Sequence, residues 1–161
     1  MPTTHYIDEK QVTLPLLLEV FQQAQFEASI NDQGILMVLA ETALVSVDVQ
    51  TAENVRLIRF TSMYKMRDTA SIEQKMALAN KLNDGVILAR FSILETDHQA
   101  MNVVYHLPFW GGIDEYHIVI ALRLFTHVYA GAPSVMDTQN LIEYGTYPVI
   151  SEQQRSGQVV H

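Results

Sequence analysis

The stretch SIEQKMALANKLNDGVILARFSILE, residues 71–95, decides how the chain has to be built. Ser71 followed three positions later by Gln74 is a capping-box pattern, in which each side chain satisfies a backbone N–H near the other. Ile72, Met76 and Ala79 recur at helical spacing, which predicts a helix from Ser71 to Asn83. Asp84-Gly85 then ends it, with the glycine supplying a left-handed turn. From Val86 to Glu95 the period drops to two, and Ile87, Ala89, Phe91 and Ile93 share one face. A helix feeding directly into a half-apolar strand calls for a layer of helices against a sheet.

Working outward, Thr96-Asp97-His98-Gln99 is a polar turn, and Met101–Leu107 alternates again through Met101, Val103, Tyr105 and Leu107, so the two strands form a hairpin. Upstream, Ile35–Ala40 is apolar at every position and suits a strand covered on both sides. Ala43–Val49 places Val45, Val47 and Val49 on one face, and Val55–Met66 is a longer β-rich run whose alternation slips, as at a bulge. These three make a meander, preceded by an extended lead-in at Phe26–Ile30 and a turn at Asn31–Gly34.

Helices flank the β-rich middle. Residues 13–25 read as a helix capped by Thr13, with Pro15 tolerated in the first turn; Leu14, Leu17, Leu18, Phe21 and Ala24 form its main apolar stripe, Leu16 and Val20 a second. After Pro108–Gly112 breaks the strand pattern, a helix is predicted from Ile113 to Tyr129. One stripe holds Ile113, His117, Ile120, Ala121, Leu124 and Val128, the other Ile118, Leu122, Phe125 and Tyr129. A helix apolar on two sides is buried on two sides. Residues 134–144 read as a short helix and 145–161 as a tail. The order α-β-β-β-α-β-β-α gives an α+β fold with an antiparallel sheet packed by helices, in one domain at 1–137 with a C-terminal extension at 138–161.

With 48% apolar residues in 161, the chain can bury a sizeable core. Charged residues are only 17%, and the surplus of apolar faces favours a homodimer. A net charge of −8 without any compensating basic run argues against nucleic acid and anionic lipid as partners. The absence of cysteine excludes a disulfide framework, thiol catalysis and cysteine-ligated zinc, and agrees with a reducing compartment. No secretory leader is expected at Met1–His5, no run approaches the ~20 apolar residues of a membrane span, and the expected location is cytoplasmic.

From Leu78-Ala79-Asn80-Lys81-Leu82-Asn83 through the strand to Ile93, the strand Met101–Leu107 and the Gly111-Gly112 pair opening an apolar helix, the sequence resembles the YbjN family of bacterial sensory-transduction regulators. That family often has tryptophan between the two asparagines, where this chain has Leu82. The resemblance covers roughly residues 13–130. It implies the fold shared with type III secretion chaperones, helices on an antiparallel sheet, often as homodimers. It implies regulation rather than catalysis, and carries over no catalytic or ligand-binding residues.

The candidate chemistry is thin. His117 and His127 lie ten positions apart, ~80° from each other around the helix, and cannot share a metal; no H-x-x-x-H or H-E-x-x-H spacing occurs among the six histidines. Asp114 and Glu115 suit the first turn of a helix better than an acid–base pair. Gly111-Gly112 lacks the lysine of a phosphate cradle, and no serine stands in a nucleophile motif. No cofactor is expected. The expected function is a non-catalytic regulatory or protein-interaction domain, chaperone-like and homodimeric, with a protein partner. Its candidate contact surface comprises Leu16, Val20, Phe109, Trp110, Ile118, Leu122 and Phe125. Phe109-Trp110 reads either as an exposed hot spot or as a lid on the core, the lid being favoured. The alternative is a small-molecule sensor with a pocket between the third helix and the sheet, lined by Met63, Met76, Met101 and Tyr105.

Overall fold

The computed structural model describes residues 5–41 and 43–144. Its centre is a six-stranded antiparallel sheet in the order β2 (Glu27–Ile30), β3 (Leu36–Ala40), β4 (Ala43–Ala52), β5 (Val55–Lys65), β7 (Ala100–Phe109), β6 (Arg90–Ile93). Three helices, α1 (Leu14–Gln23), α2 (Ile72–Gly85) and α3 (Glu115–Met136), pack on one face. A two-stranded ribbon pairs β1 (Tyr6–Asp8) with β8 (Gly112–Asp114). The fold is α+β, with the antiparallel sheet and helical layer that the sequence predicts.

The core lies between that layer and the sheet. Leu36, Val38, Val45, Val47, Ile58, Phe60, Phe91, Met101 and Val103 supply the sheet side, and Leu17, Phe21, Leu82, Ile118, Leu122 and Phe125 the helical side. Full burial of each such side chain is worth about 1.5–3 kcal/mol. On α3, the Ile118–Leu122–Phe125–Tyr129 stripe turns inward, while His117 and Leu124 from the other stripe are exposed. By length and composition α3 is apolar enough to cross a membrane, contrary to the expectation that no run comes near it. Its inner stripe is instead the centre of the core.

Several boundaries differ from expectation, each for a visible reason. The lead-in at Phe26–Ile30 is a paired edge strand: Glu27 lies opposite Leu39 and Ile30 opposite Leu36. The meander therefore has four strands. No bulge interrupts β5, which pairs continuously with β7 from Arg56 to Lys65. Its alternation slips because Ser62, Met63 and Tyr64 are all buried, so both faces are covered there. The capping box forms as read, with Ser71 Oγ accepting from Gln74 N–H at 3.3 Å and Gln74 Oε1 from Ser71 N–H at 2.9 Å. But α2 runs through Gly85, which takes no left-handed turn; a Cβ there would lie 2.7 Å from Met136 Cε, so the glycine lets α2 approach the end of α3.

The strand expected from Val86 starts only at Arg90, and Ile87, expected to face the core, is fully exposed. Asn83 explains the delay. Its side-chain amide accepts from Phe91 N–H at 2.7 Å and donates to Phe91 C=O at 2.8 Å, so the start of β6 is held by a helix side chain; in between, Ile87 and Leu88 turn to solvent while Ala89 stays buried.

Ile113 belongs to β8, so α3 begins two residues later than predicted, and it continues to Met136 past Gly131 and Pro133. A proline inside a helix removes the N–H that the carbonyl four residues back would receive. Here that carbonyl is Tyr129's, and the Tyr64 hydroxyl donates to it instead. Tyr129 returns a bond from its own hydroxyl to Met63 C=O at 2.8 Å, and the two rings stack 4.2 Å apart at 4°. Burial pushes both phenols above their ordinary pKa, Tyr64 well above it. The predicted short helix at 134–144 is present only as this last turn. Beyond it Asp137 accepts from Leu141 and Ile142 N–H groups, and Ile142 bridges to Met66. The predicted tail, including Gly145–Ile150, lies outside the described residues.

Candidate functional site

Five of the seven residues singled out as a contact surface sit in the chain's own core: Val20, Phe109, Ile118, Leu122 and Phe125. Leu16 is half-buried beside them. The aromatic pair divides. Phe109 turns inward with the Arg56 guanidinium 5.5 Å over its ring, while Trp110 stays 76% exposed. Of the four residues expected to line a pocket, Met101 is in the core, Met63 is on the opposite sheet face, Met76 is exposed on α2 and Tyr105 stacks on Phe60. They do not converge on one space.

Two surface features have a built geometry. The first is an aromatic corner on the β1–β8 ribbon. Exposed Tyr6, Trp110 and Tyr116 all fall on or beside it. Gly111 has φ +72°, and Gly112 has φ +154° with no room for a Cβ, which would meet Ile7 C=O at 2.4 Å and the Tyr6 ring at 2.7 Å. The double glycine thus lets the Tyr6 ring lie directly on backbone. Glu9 clamps the corner, its N–H donating to Gly111 C=O at 3.2 Å and its carboxylate accepting from Gly111 N–H at 2.9 Å. Arg56 donates to the carbonyls of Glu9 and Val12 and ties the ribbon to β5. Asp114 caps α3 by accepting from Tyr116 N–H at 2.8 Å, and Glu115 pairs with His5 at 3.4 Å. Both carboxylates hold structure together, as their position in a first turn predicts.

The second is an open cleft of about 490 Å³ where the chain between α2 and β6 leaves the sheet. Its lining includes Val86, Ile87, Leu88, Arg90 and His106. Beside β7, β6 pairs only as far as Val104, so residues 105–109 have no strand on that side. His106 lies opposite Arg59 on β5, and Arg59 lies opposite Asp48 on β4. Arg59 reaches Asp48 at 3.3 Å. Desolvation, followed by the nearby positive charges of Arg59 and Arg90, lowers the His106 pKa below its ordinary value. Sequence reasoning missed this cluster because its members come from three strands that pair out of chain order. The alternation in Met101–Leu107 did place His106 on the side facing away from Met101 and Tyr105. Among the described residues, no three His, Asp or Glu side chains gather as they would around a metal.

A six-stranded antiparallel sheet with all three helices on one face places the chain in a fold class that a solved structure shares. That structure is the crystal structure of YbjN, "a putative transcription regulator from E. coli". It superposes with a TM-score of 0.62 over 81% of this chain and 96% of YbjN, at 13% sequence identity, so the fold is common to both. No protein-family model matches the sequence, and no curated protein matches it.

Proposed function

We propose that the chain is a non-catalytic regulatory protein that works through protein–protein contacts as a cytoplasmic homodimer. The observation that carries this reading is the aromatic corner. Tryptophan and tyrosine are the residue types that dominate binding hot spots, and here three of them stand exposed on or beside the β1–β8 ribbon. A two-fold dimer would bring two such corners together without needing a second kind of surface. Sharing a fold with a protein described as a transcription regulator supports the regulatory reading, and the net charge of −8 argues for a protein rather than a nucleic acid as its partner. The structural duties of Asp114 and Glu115 support the non-catalytic one. A chaperone-like action would use strand edges such as β2 to hold extended client segments.

Light scattering after size exclusion, over a hundredfold range of concentration, tests the dimer. Twice the 18.2 kDa chain mass should persist at the lowest concentration, and Trp110→Ala with Tyr116→Ala should lower it to a folded monomer whose Tm falls only by the lost association. A monomer throughout, or a dimer indifferent to both substitutions, overturns the proposal.

A further inference from the structure

The geometry points to a ligand site in the cleft beside β6, built for a small amphipathic carboxylate: the head between Arg90 and His106, the apolar body along Ile87 and Leu88. Four observations converge on it. Arg90 and His106 lie on the same sheet face, Arg90 opposite Val104 and His106 two positions further along β7, a diagonal separation of ~7–8 Å. One carboxylate spans such a gap. Arg90 has no hydrogen-bond or ion-pair partner among the described residues, although the chain as a whole is strongly acidic.

The charge of the cluster selects the ligand's valence. Asp48 balances Arg59, and with His106 neutral the row retains one net positive charge, that of Arg90. A single negative charge matches it, and a phosphate dianion would be under-compensated. Arg59 is held by Asp48 at 3.3 Å and is therefore not free to take the ligand's charge itself.

The apolar part of the lining explains the amphipathic requirement. Ile87 is fully exposed and Leu88 partly so, in the segment between α2 and β6. Two branched apolar side chains lining the same cleft as an unpaired arginine give it both charged and apolar character. At about 490 Å³ the space suits a small molecule.

The test is an NMR titration of the full-length chain with octanoate and, separately, acetate, following the Arg90 and His106 backbone amides and the His106 ring. Octanoate should shift these signals saturably and raise the His106 pKa. Acetate should bind about tenfold more weakly or worse, since each methylene buried adds affinity. Arg90→Gln should weaken octanoate binding by about tenfold or more. Leu88→Ser should weaken octanoate while leaving acetate unchanged. Both substitutions are at exposed positions, and an unchanged amide spectrum outside the cleft will confirm that the variants fold. Absence of saturable shifts, equal affinity for the two acids, or an Arg90→Gln variant that binds octanoate like the parent chain overturns the assignment.

Discussion

Two groups of aromatic side chains in this molecule have similar composition and opposite fates. Tyr64 and Tyr129 stack inside the domain, and each hydroxyl donates to a backbone carbonyl, Tyr129's and Met63's respectively. Tyr6 on the β1–β8 ribbon, Trp110 just ahead of it and Tyr116 in the first turn of α3 remain exposed. What separates them is the availability of a backbone acceptor that has lost its usual donor. Pro133 creates one such acceptor at Tyr129, and β5 brings a phenol to it. At the ribbon the corresponding backbone groups are already taken by Glu9 and Arg56. An aromatic ring with a polar end goes inside only where that end is answered.

Substituting one ring from each side is the strongest way to break this contrast. Phe125 packs against Phe60 and Tyr129 at the inner group, and Phe125→Ala should cost about 3–5 kcal/mol in chemical denaturation. Trp110→Ala should stay within about 0.5 kcal/mol. Comparable losses from the two would show that the ribbon is core after all. Next in size, Tyr64→Phe keeps the ring and strands the Tyr129 carbonyl, for a loss of about 1–3 kcal/mol. If that variant unfolds at the parent's denaturant midpoint, the carbonyl has another donor.

Alkaline titration sharpens the same point. Both inner phenols have pKa values raised by folding, so above about pH 10 the unfolded chain sheds protons that the folded chain keeps. Stability is therefore intact below that pH and should fall above it, by about 1.4 kcal/mol per pH unit per tyrosine. The Tyr64→Phe, Tyr129→Phe double variant should show a flatter alkaline limb, and identical limbs would refute the linkage. The smallest global effect is expected from Gly112→Ala. Its Cβ would drive Ile7 and Tyr6 off the ribbon, so amide exchange at Glu9 should accelerate while Phe60 stays protected. Uniform acceleration would mean that the ribbon is not a separate unit.

Much of the inner architecture was legible because it follows local rules. Ser71 and Gln74 form their box whatever lies around them, and the alternation through Met101, Val103 and Tyr105 survives in β7. The failures are places where a distant residue overrides a local signal. Gly131 and Pro133 say that a helix should stop, and Tyr64 lets it continue. Val86–Ala89 has the period of a strand, yet β6 starts only at Arg90, where Asn83 from α2 bonds the outer edge of Phe91. The ribbon joins residues more than a hundred positions apart, and its strands of three residues are too short to show a period. The cleft is of the same kind, since Arg59, Arg90 and His106 meet only through the β5–β7–β6 order.

The bond from Tyr64 to Tyr129 also bears on the order of events in folding. Its partners are 65 residues apart, so the carbonyl ahead of Pro133 has to wait for the docking of β5 before its donor arrives. Up to Tyr129, α3 can wind on its own local bonds; the turn beyond belongs to a later stage. A chevron of Tyr64→Phe should accordingly show faster unfolding and an unchanged folding limb, whereas a slowed folding limb would place that turn in the nucleus. The first of these outcomes would make the end of the longest helix a part of the fold that sets late.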